Sequence, residues 1–258
     1  MFLIKLGGSV ITEKAQEKPI FKKNLVDEIV STISKAQKDV VIVHGAGSFG
    51  HVLAKQHDLI NGCNSLTQKQ GFAETLGLVQ ELNSFVLTSL HDHNLPAVSL
   101  PPHALVTLKN QALHTFNSEI FVKYADAGFI PVTFGDVVLD VALGCSICSG
   151  DLLIQALAQT FKPEAVLFLM DEDGLYTDNP KKNKDATFIN SIGLHEIDSL
   201  VTDLDDHADV TKGMEGKLQT ITQIVEQGSP TVLLNGNKPG RLYDVLQGNE
   251  TICTIVHR

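Results

Sequence analysis

The chain has 258 residues, 43% of them apolar, which is enough for one large α/β domain or two intimate lobes and too apolar for a disordered segment. Its 30 acidic against 20 basic side chains give a net charge of −10 with no long basic run, so the summed field repels nucleic acid. No stretch approaches the ~18 apolar residues of a membrane span, and the N-terminal MFLIKLGGSVITEK, its short apolar run broken by Lys5, is not a secretory signal; a soluble cytoplasmic protein with no membrane partner is expected.

Taken in chain order, FLIKL at 2–6, VVIVH at 40–44, AVSL at 97–100, GFIPVTF at 128–134 and AVLFLM at 165–170 read as strands. The first, second and fifth are nearly all apolar, as strands covered on both faces are. Between them, 24–37 repeats Leu25, Ile29, Ile33 and Ala36 at helical spacing, and 65–91 reads as a long helix. Strands alternating with helices predict an α/β fold with an open, mostly parallel sheet covered by helices. In such sheets the chemistry collects beyond the carboxyl ends of the strands, here the loops after Leu6, His44, Phe134 and Met170. The polar stretch 176–185 is expected to project as a flap or hairpin, its Lys181, Lys182 and Lys184 either solvated or aiding nucleotide binding.

Four cysteines, Cys63, Cys145, Cys148 and Cys253, do not resemble a disulfide framework and are expected to be reduced packing residues. Neither Cys145 with Cys148 nor His91 with His93 is completed by further ligands, so no metal site is expected, and the two histidines should be solvated or cap a helix C-terminus.

The first strand ends in Lys5-Leu6-Gly7-Gly8-Ser9, and the second in His44-Gly45-Ala46-Gly47-Ser48-Phe49-Gly50-His51. The second loop has the G-x-G-x-x-G spacing of a dinucleotide site but lacks the acidic strand end about 20 residues on. Two glycine loops on separate strands instead suggest two facing anion cradles, one for each of two phosphates; tight turns needing positive φ are the bland reading. Together with Pro131-Val132, Gly135-Asp136, Ser149-Gly150-Asp151, the run Asp171-Glu172-Asp173-Gly174-Leu175-Tyr176-Thr177, the stretch Asp209 to Lys217 and Asn235-Gly236, these loops resemble the successive signatures of the amino acid kinase superfamily over nearly the whole chain. Lys14, in Gly8-Ser9-Val10-Ile11-Thr12-Glu13-Lys14, and His51 bring the resemblance closest to the isopentenyl phosphate kinases, with fosfomycin kinases as the alternative and a non-catalytic nucleotide-binding sensor as a reading of another class. Two departures stand out: Lys212 replaces the first glycine of the pair usual before Met214, and Ala46 stands where glycine is frequent.

The resemblance implies a single amino acid kinase domain over 1–258, with an acceptor lobe of about 1–160 and a nucleotide lobe of about 161–258. It implies ATP with Mg²⁺ as donor, a small phosphate-bearing acceptor and a homodimer. Lys5 and Lys217 would neutralise the transferring phosphoryl group, Lys14 would stabilise the transition state, and the backbone around Gly7, Gly8, Ser9 and Gly47 would add fixed dipoles. Asp171, Tyr176, Gly213 and Lys217 would line the nucleotide. Asp151 would align the two lysines or cap the helix after it. His51 would donate to the acceptor phosphate or satisfy its own helix terminus, and His44 would support the loop. The acceptor would lie against Ala46, Gly47, Gly150, Phe72, Leu76, Val79, Asn83 and Ile147, although helical spacing alone fits core packing as well.

Overall fold

The computed structural model describes residues 1–13, 18–178, 180–197 and 212–258, with 212–215 as backbone only. Lys14 and the 209–211 part of the late motif lie outside the described residues. The main sheet is built around β1 (Phe2–Leu6), buried along its length. To one side follow β2 (Val40–His44), β6 (Ile130–Phe134) and β3 (Ala97–Ser99); to the other β9 (Ala165–Met170), β13 (Thr231–Asn235), β14 (Thr254–His257) and β12 (Ser191–Gly193). Neighbours run parallel except β13 and β14. The chain thus lays its first strands on one side of β1 and its later ones on the other, and the order reverses at β1, where a crevice opens beyond the strand ends.

The apolar runs form strands because both faces are covered. Phe2, Ile4 and Leu6 point into one core and Leu3 into the other, the two-residue alternation of a strand. Lys5 therefore shares the face of Leu3, and a cation is carried into the second core. The first core is roofed by α2 (Lys23–Ala36), α4 (Leu66–Asp92) and α9 (Pro239–Gln247), which contribute Ile29 and Ile33, Leu82 and Val86, and Leu242 and Leu246. The second is covered by α7 (Gly150–Phe161), through Leu153 and Leu157, and α8 (Lys212–Glu226), through Leu218 and Ile221. A capping box starts α4: the Ser65 hydroxyl accepts from Gln68 N and the Gln68 side chain accepts from Ser65 N, each at 3.2 Å. Its far end is held by His93, whose Nδ1 lies 2.8 Å from Ser89 O, and His91, whose Nε2 lies 2.9 Å from Ala97 O, so the histidine pair serves the helix terminus.

A second sheet, absent from the sequence expectation, runs β5 (Ala112–Phe116), β4 (Val106–Lys109), β7 (Asp136–Asp140), β8 (Gly144–Cys148). Its strands are short and partly exposed, so they lack the continuous apolar runs that mark the main sheet. Asp140 braces its turns by accepting from the backbone N–H groups of Asn110, Gln111, Ala142 and Leu143 at 2.8–3.1 Å. Burial pushes its carboxyl up, but those four donors outweigh burial and hold it below the usual range. The expected hairpin is present as β10 (Leu175–Tyr176) paired antiparallel with β11 (Phe188–Ile189), and Lys181 pairs with Glu172 and with Asp171 at 3.6 Å.

The expectation of four reduced cysteines is corrected. Cys63, just before α4, and Cys145, on β8, are joined in a disulfide with Cα atoms 5.2 Å apart, while Cys148 and Cys253 are buried free thiols. The partners are 82 residues apart and meet only through the second sheet, so their spacing carried no sign of the bond.

Candidate active site

Where β1 ends, the chain passes through Gly7 into α1 (Gly8–Ile11), and where β2 ends it passes through Gly45 and Ala46 into α3 (Gly47–Gln56). A β-carbon on Gly8 would lie 2.7 Å from Gly47 N, and one on Gly45 2.7 Å from Gly8 N. The two loops touch backbone to backbone, a contact only glycine permits. Thr12 pins them together, its Oγ1 donating to Gly8 O at 2.8 Å and accepting from Ser48 N at 3.1 Å. Gly7 N donates to Leu169 O at 3.0 Å and Gly45 N to Leu6 O at 2.9 Å, so both loops are fixed to the sheet.

Lys5 stands between them, 6% exposed, ion-paired with Asp151 and with its Nζ 5.4 Å from the centre of the Phe168 ring. Burial pushes its pKa down, Asp151 pulls it back up, and the nearby charge of Lys217 pushes it down again. Of the two roles open to Asp151, the cap belongs to Ser149, whose hydroxyl accepts from Leu152 N at 3.1 Å. Asp151, one residue inside α7, is turned to Lys5.

These groups line one cavity of about 500 Å³. Lys5, Lys217, Asp151 and Gly150 face Gly7, Gly8 and Ser9 of the first loop and Ala46 and Gly47 of the second, with His51 on the wall. Ala54, three residues beyond His51 on α3 and so on its face, joins Val79, Val137 and Ile147 in the apolar part of the lining. His51 is exposed at the mouth, and desolvation of its ring, followed by the charge of Lys5, holds its pKa below the usual value. The hydroxyl of Ser48, another lining residue, is buried and has no hydrogen-bond partner among the described residues.

Several expected residues lie elsewhere. Phe72 and Leu76 pack with Ile147 in a cluster around Leu59, Val137 and Cys145, behind the lining. Asn83 is buried, its Nδ2 donating to Ser99 Oγ at 2.8 Å and its Oδ1 3.3 Å from His44 Nε2. It lies against His44, whose Nδ1 is 3.0 Å from Gly45 O and whose ring stacks on Phe134, as expected of a residue supporting the loop. Asp171 is exposed beside Lys181, and Tyr176 rests on Phe188; neither is in the lining. Their turn is drawn towards α9 by Asp173, which accepts from Arg241 Nη1 at 2.6 Å and Asn235 Nδ2 at 2.8 Å. Gly213 lies in the first turn of α8, where the backbone alone is described.

Some lining residues escaped the sequence reading. Asp136 had a motif position but no role; its Oδ2 accepts from His103 Nδ1 at 2.8 Å and its Oδ1 from Val137 N at 2.9 Å. Nothing local pointed to His103, which reaches Asp136 from 33 residues away. Thr12 and Ser48 lie inside the two glycine motifs, and a hydroxyl beside a phosphate loop is the local signal that marks them.

The amino acid kinase family model matches residues 1–235. The isopentenyl phosphate kinase of Methanothermobacter thermautotrophicus is 37% identical over 264 residues, 99% of this chain and 98% of its own. That of Thermoplasma acidophilum is 31% identical over the whole of both chains. A solved structure titled as an isopentenyl phosphate kinase superposes with a TM-score of 0.86 at 34% identity, covering 99% of each chain. A cavity pairing two lysines and two interlocked glycine loops on a sheet of this topology, and full-length similarity of this degree, agree: the chain belongs to the amino acid kinase family and, within it, stands with the isopentenyl phosphate kinases.

Proposed function

We propose that the protein transfers the γ-phosphoryl group of ATP to isopentenyl phosphate, forming isopentenyl diphosphate and ADP. The observation that carries this reading is a single cavity in which Lys5, Lys217 and the two glycine loops meet an apolar wall of Ala54, Val79, Val137 and Ile147. A phosphate with a short hydrocarbon tail needs both.

At neutral pH both phosphates arrive as anions, because the second pKa of a phosphate monoester is about 6. Each pair of unit charges at 4 Å costs about 4 kcal/mol at an effective dielectric of about 20. Cations and fixed dipoles, not a base, must supply the catalysis, since the attacking oxygen is already ionised. An acceptor oxygen forms a bond to the γ-phosphorus as the bond to the β,γ-bridging oxygen breaks, and ADP leaves. Lys5 and Lys217 offset the charge on the transferring group, and Asp151 favours the charged form of Lys5 against the desolvation that lowers its pKa and holds it towards the cavity. The backbone at Gly8, Ser9 and Gly47 and the Ser48 hydroxyl, which has no partner among the described residues, offer further donors. His51 donates to the acceptor phosphate; its lowered pKa keeps the ring neutral near pH 7, which suffices for donation. Lys14, by resemblance, adds charge stabilisation in the transition state.

Magnesium fits as a companion of the nucleotide. Asp151 and Asp136 are engaged by Lys5 and His103, so of the lining carboxylates Glu13 would be the one to help hold it beside the nucleotide phosphates, where it would supply charge neutralisation. The proposal also places the acceptor on the lobe of about 1–160 and the nucleotide on the lobe of about 161–258, in a cytoplasmic homodimer. The exposed apolar Leu139 on β7 and Val141 in the turn after it support a subunit contact.

The test is ADP release with ATP and Mg²⁺, comparing isopentenyl phosphate, dimethylallyl phosphate and fosfomycin, for the native protein and His51→Ala. Turnover of the prenyl phosphates, with the acceptor KM raised about tenfold or more in the variant, is expected. Turnover of fosfomycin alone would overturn the acceptor, and an unchanged acceptor KM in His51→Ala would overturn the role of that histidine.

A further inference from the structure

The apolar part of the cavity is assembled from two successive helices and a hairpin from much later in the chain. Ala54 comes from α3, Val79 from α4, and Val137 and Ile147 from β7 and β8. Behind them Cys145, Leu59 and the half-buried Cys63, Phe72 and Leu76 form one cluster with Ala54, Val137 and Ile147. The disulfide between Cys63 and Cys145 passes through this cluster and fastens the connection between α3 and α4 to β8.

The surrounding backbone is shaped for that bond. Each cysteine follows a glycine in the left-handed region, Gly62 at φ 110° and Gly144 at φ 81°. A β-carbon on Gly62 would lie 2.5 Å from Leu143 O, and one on Gly144 3.1 Å from Cys63 O. The two glycines let the strands of chain come close enough for Cys63 N to donate to Leu143 O at 2.9 Å. Leu143 is itself oriented by Asp140, which accepts from its N–H at 3.0 Å. Gln111 Nε2, from the neighbouring turn, donates to Ile60 O at 3.1 Å on the same connection.

We infer that Cys63 and Cys145 form a reversible crosslink that sets the shape of the apolar end of the acceptor pocket, and so determines affinity for the hydrocarbon part of the acceptor. The inference rests on the acceptor proposed above. With the crosslink closed, the walls from α3, α4 and β8 are held in one arrangement and the tail binds a pre-organised slot. With it open, the connection before α4 is held only by its hydrogen bonds and the packing of Leu59, and part of the binding energy goes to ordering it.

Opening requires a dithiol reductant. Its thiolate attacks Cys63 Sγ, the more exposed of the two since Cys145 is 2% exposed; the Cys63–Cys145 bond breaks and Cys145 leaves as a thiolate that takes a proton. The second thiol of the reductant then attacks the mixed disulfide, closing the reductant's own disulfide and freeing the Cys63 thiol. Two electrons and two protons pass to the protein, and a small-molecule disulfide such as oxidised glutathione reverses the step. Cys148, three residues from Cys145, does not compete: burial and then the charge of Asp136 push its thiol up to about 12, so it carries almost no thiolate.

The experiment compares full-length protein equilibrated with dithiothreitol and with oxidised glutathione. Alkylation in denaturant followed by mass spectrometry counts the thiols, and steady-state kinetics give KM for ATP and for isopentenyl phosphate. Cys63→Ser and Cys145→Ser are measured beside it, with thermal unfolding to check that they fold. The oxidised protein should expose Cys148 and Cys253 alone, and reduction should raise the acceptor KM by about tenfold, the scale of a lost apolar contact, with KM for ATP unchanged. Both variants should match the reduced enzyme and ignore the reductant. Four free thiols after oxidation, or equal acceptor KM in the two states, would overturn the inference. Hydrogen exchange over 57–76 is read on the free protein in both states. It should quicken on reduction whatever the acceptor, so an enzyme that turns over a different acceptor fails the functional reading alone, whereas unchanged exchange fails the crosslink.

Discussion

Replacing Asp151 by Asn removes one charge and almost no volume. Lys5 is then a buried ammonium with Lys217 as its charged neighbour and no carboxylate to hold it. Removing one partner of a fully buried pair costs about 3–5 kcal/mol. The Asp151 side chain is 26% exposed, and solvent screening reduces the expected cost to about 1–3 kcal/mol. Lys5 should shed part of that cost by losing its proton more readily, and the transition state then loses a cation it needs. A loss of about 1–3 kcal/mol in the barrier is about five- to 150-fold in kcat. The ground state should respond in the opposite sense, because a negative group has been taken from a cavity built for anions; KM for ATP should hold steady or fall. Coupled ADP-release kinetics at saturating acceptor, with urea unfolding of the free variant, separate the two effects. Ser149→Ala is the control: it removes the cap of α7, should cost about 1 kcal/mol in stability, and should leave kcat nearly untouched. If Asp151→Asn kept kcat within about threefold of the native enzyme, Asp151 would not be organising Lys5, and the electrostatic account of the site would fail with it.

Gly8→Ala should separate the interlocked loops, since its β-carbon would meet Gly47 N at 2.7 Å; an overpacking cost of about 1–3 kcal/mol and a loss of turnover are expected, and native-like urea unfolding would contradict the contact. Arg241→Leu takes the charged partner from Asp173 and loosens the turn after β9, so KM for ATP should rise about tenfold while KM for the acceptor stays constant; a change in the acceptor KM alone would misplace the nucleotide lobe. Burial holds the pKa of His44 below its unfolded value of about 6.5. The unfolded chain therefore binds the extra proton first as pH falls, and stability should drop from about pH 6.5 down to the folded pKa, by at most about 1.4 kcal/mol per unit from this residue. Urea midpoints across that window should flatten in His44→Asn, and an equally steep loss in that variant would assign the effect to other groups.

Local chemistry was enough to write β1, β2, β3, β6 and β9 of the main sheet and the position of the site, while β12, β13 and β14 were not read. FLIKL, VVIVH and AVLFLM are apolar without interruption because both faces of each strand are covered, and that property is visible in five or six consecutive letters. The glycine loops declare themselves in the same way, since a strand that ends in glycines has few other uses for them. What remained hidden depends on contacts across the chain. The short β4, β5, β7 and β8, interrupted by polar residues and glycine, carry no continuous apolar run, so the second sheet was missed, and with it the meeting of Cys63 and Cys145 over 82 residues. Asn83 and Val79 share a helix, yet one meets His44 and the other lines the cavity, because the rotation of α4 is set by its packing against α2, α3 and β3 and not by its own periodicity. Lys5 shows both sides of the matter. Its place in an alternating strand determined which face it occupies, but only the approach of α7 brought Asp151 to it and made a buried charge tolerable, because an ion pair is a property of two segments and a sequence window holds one.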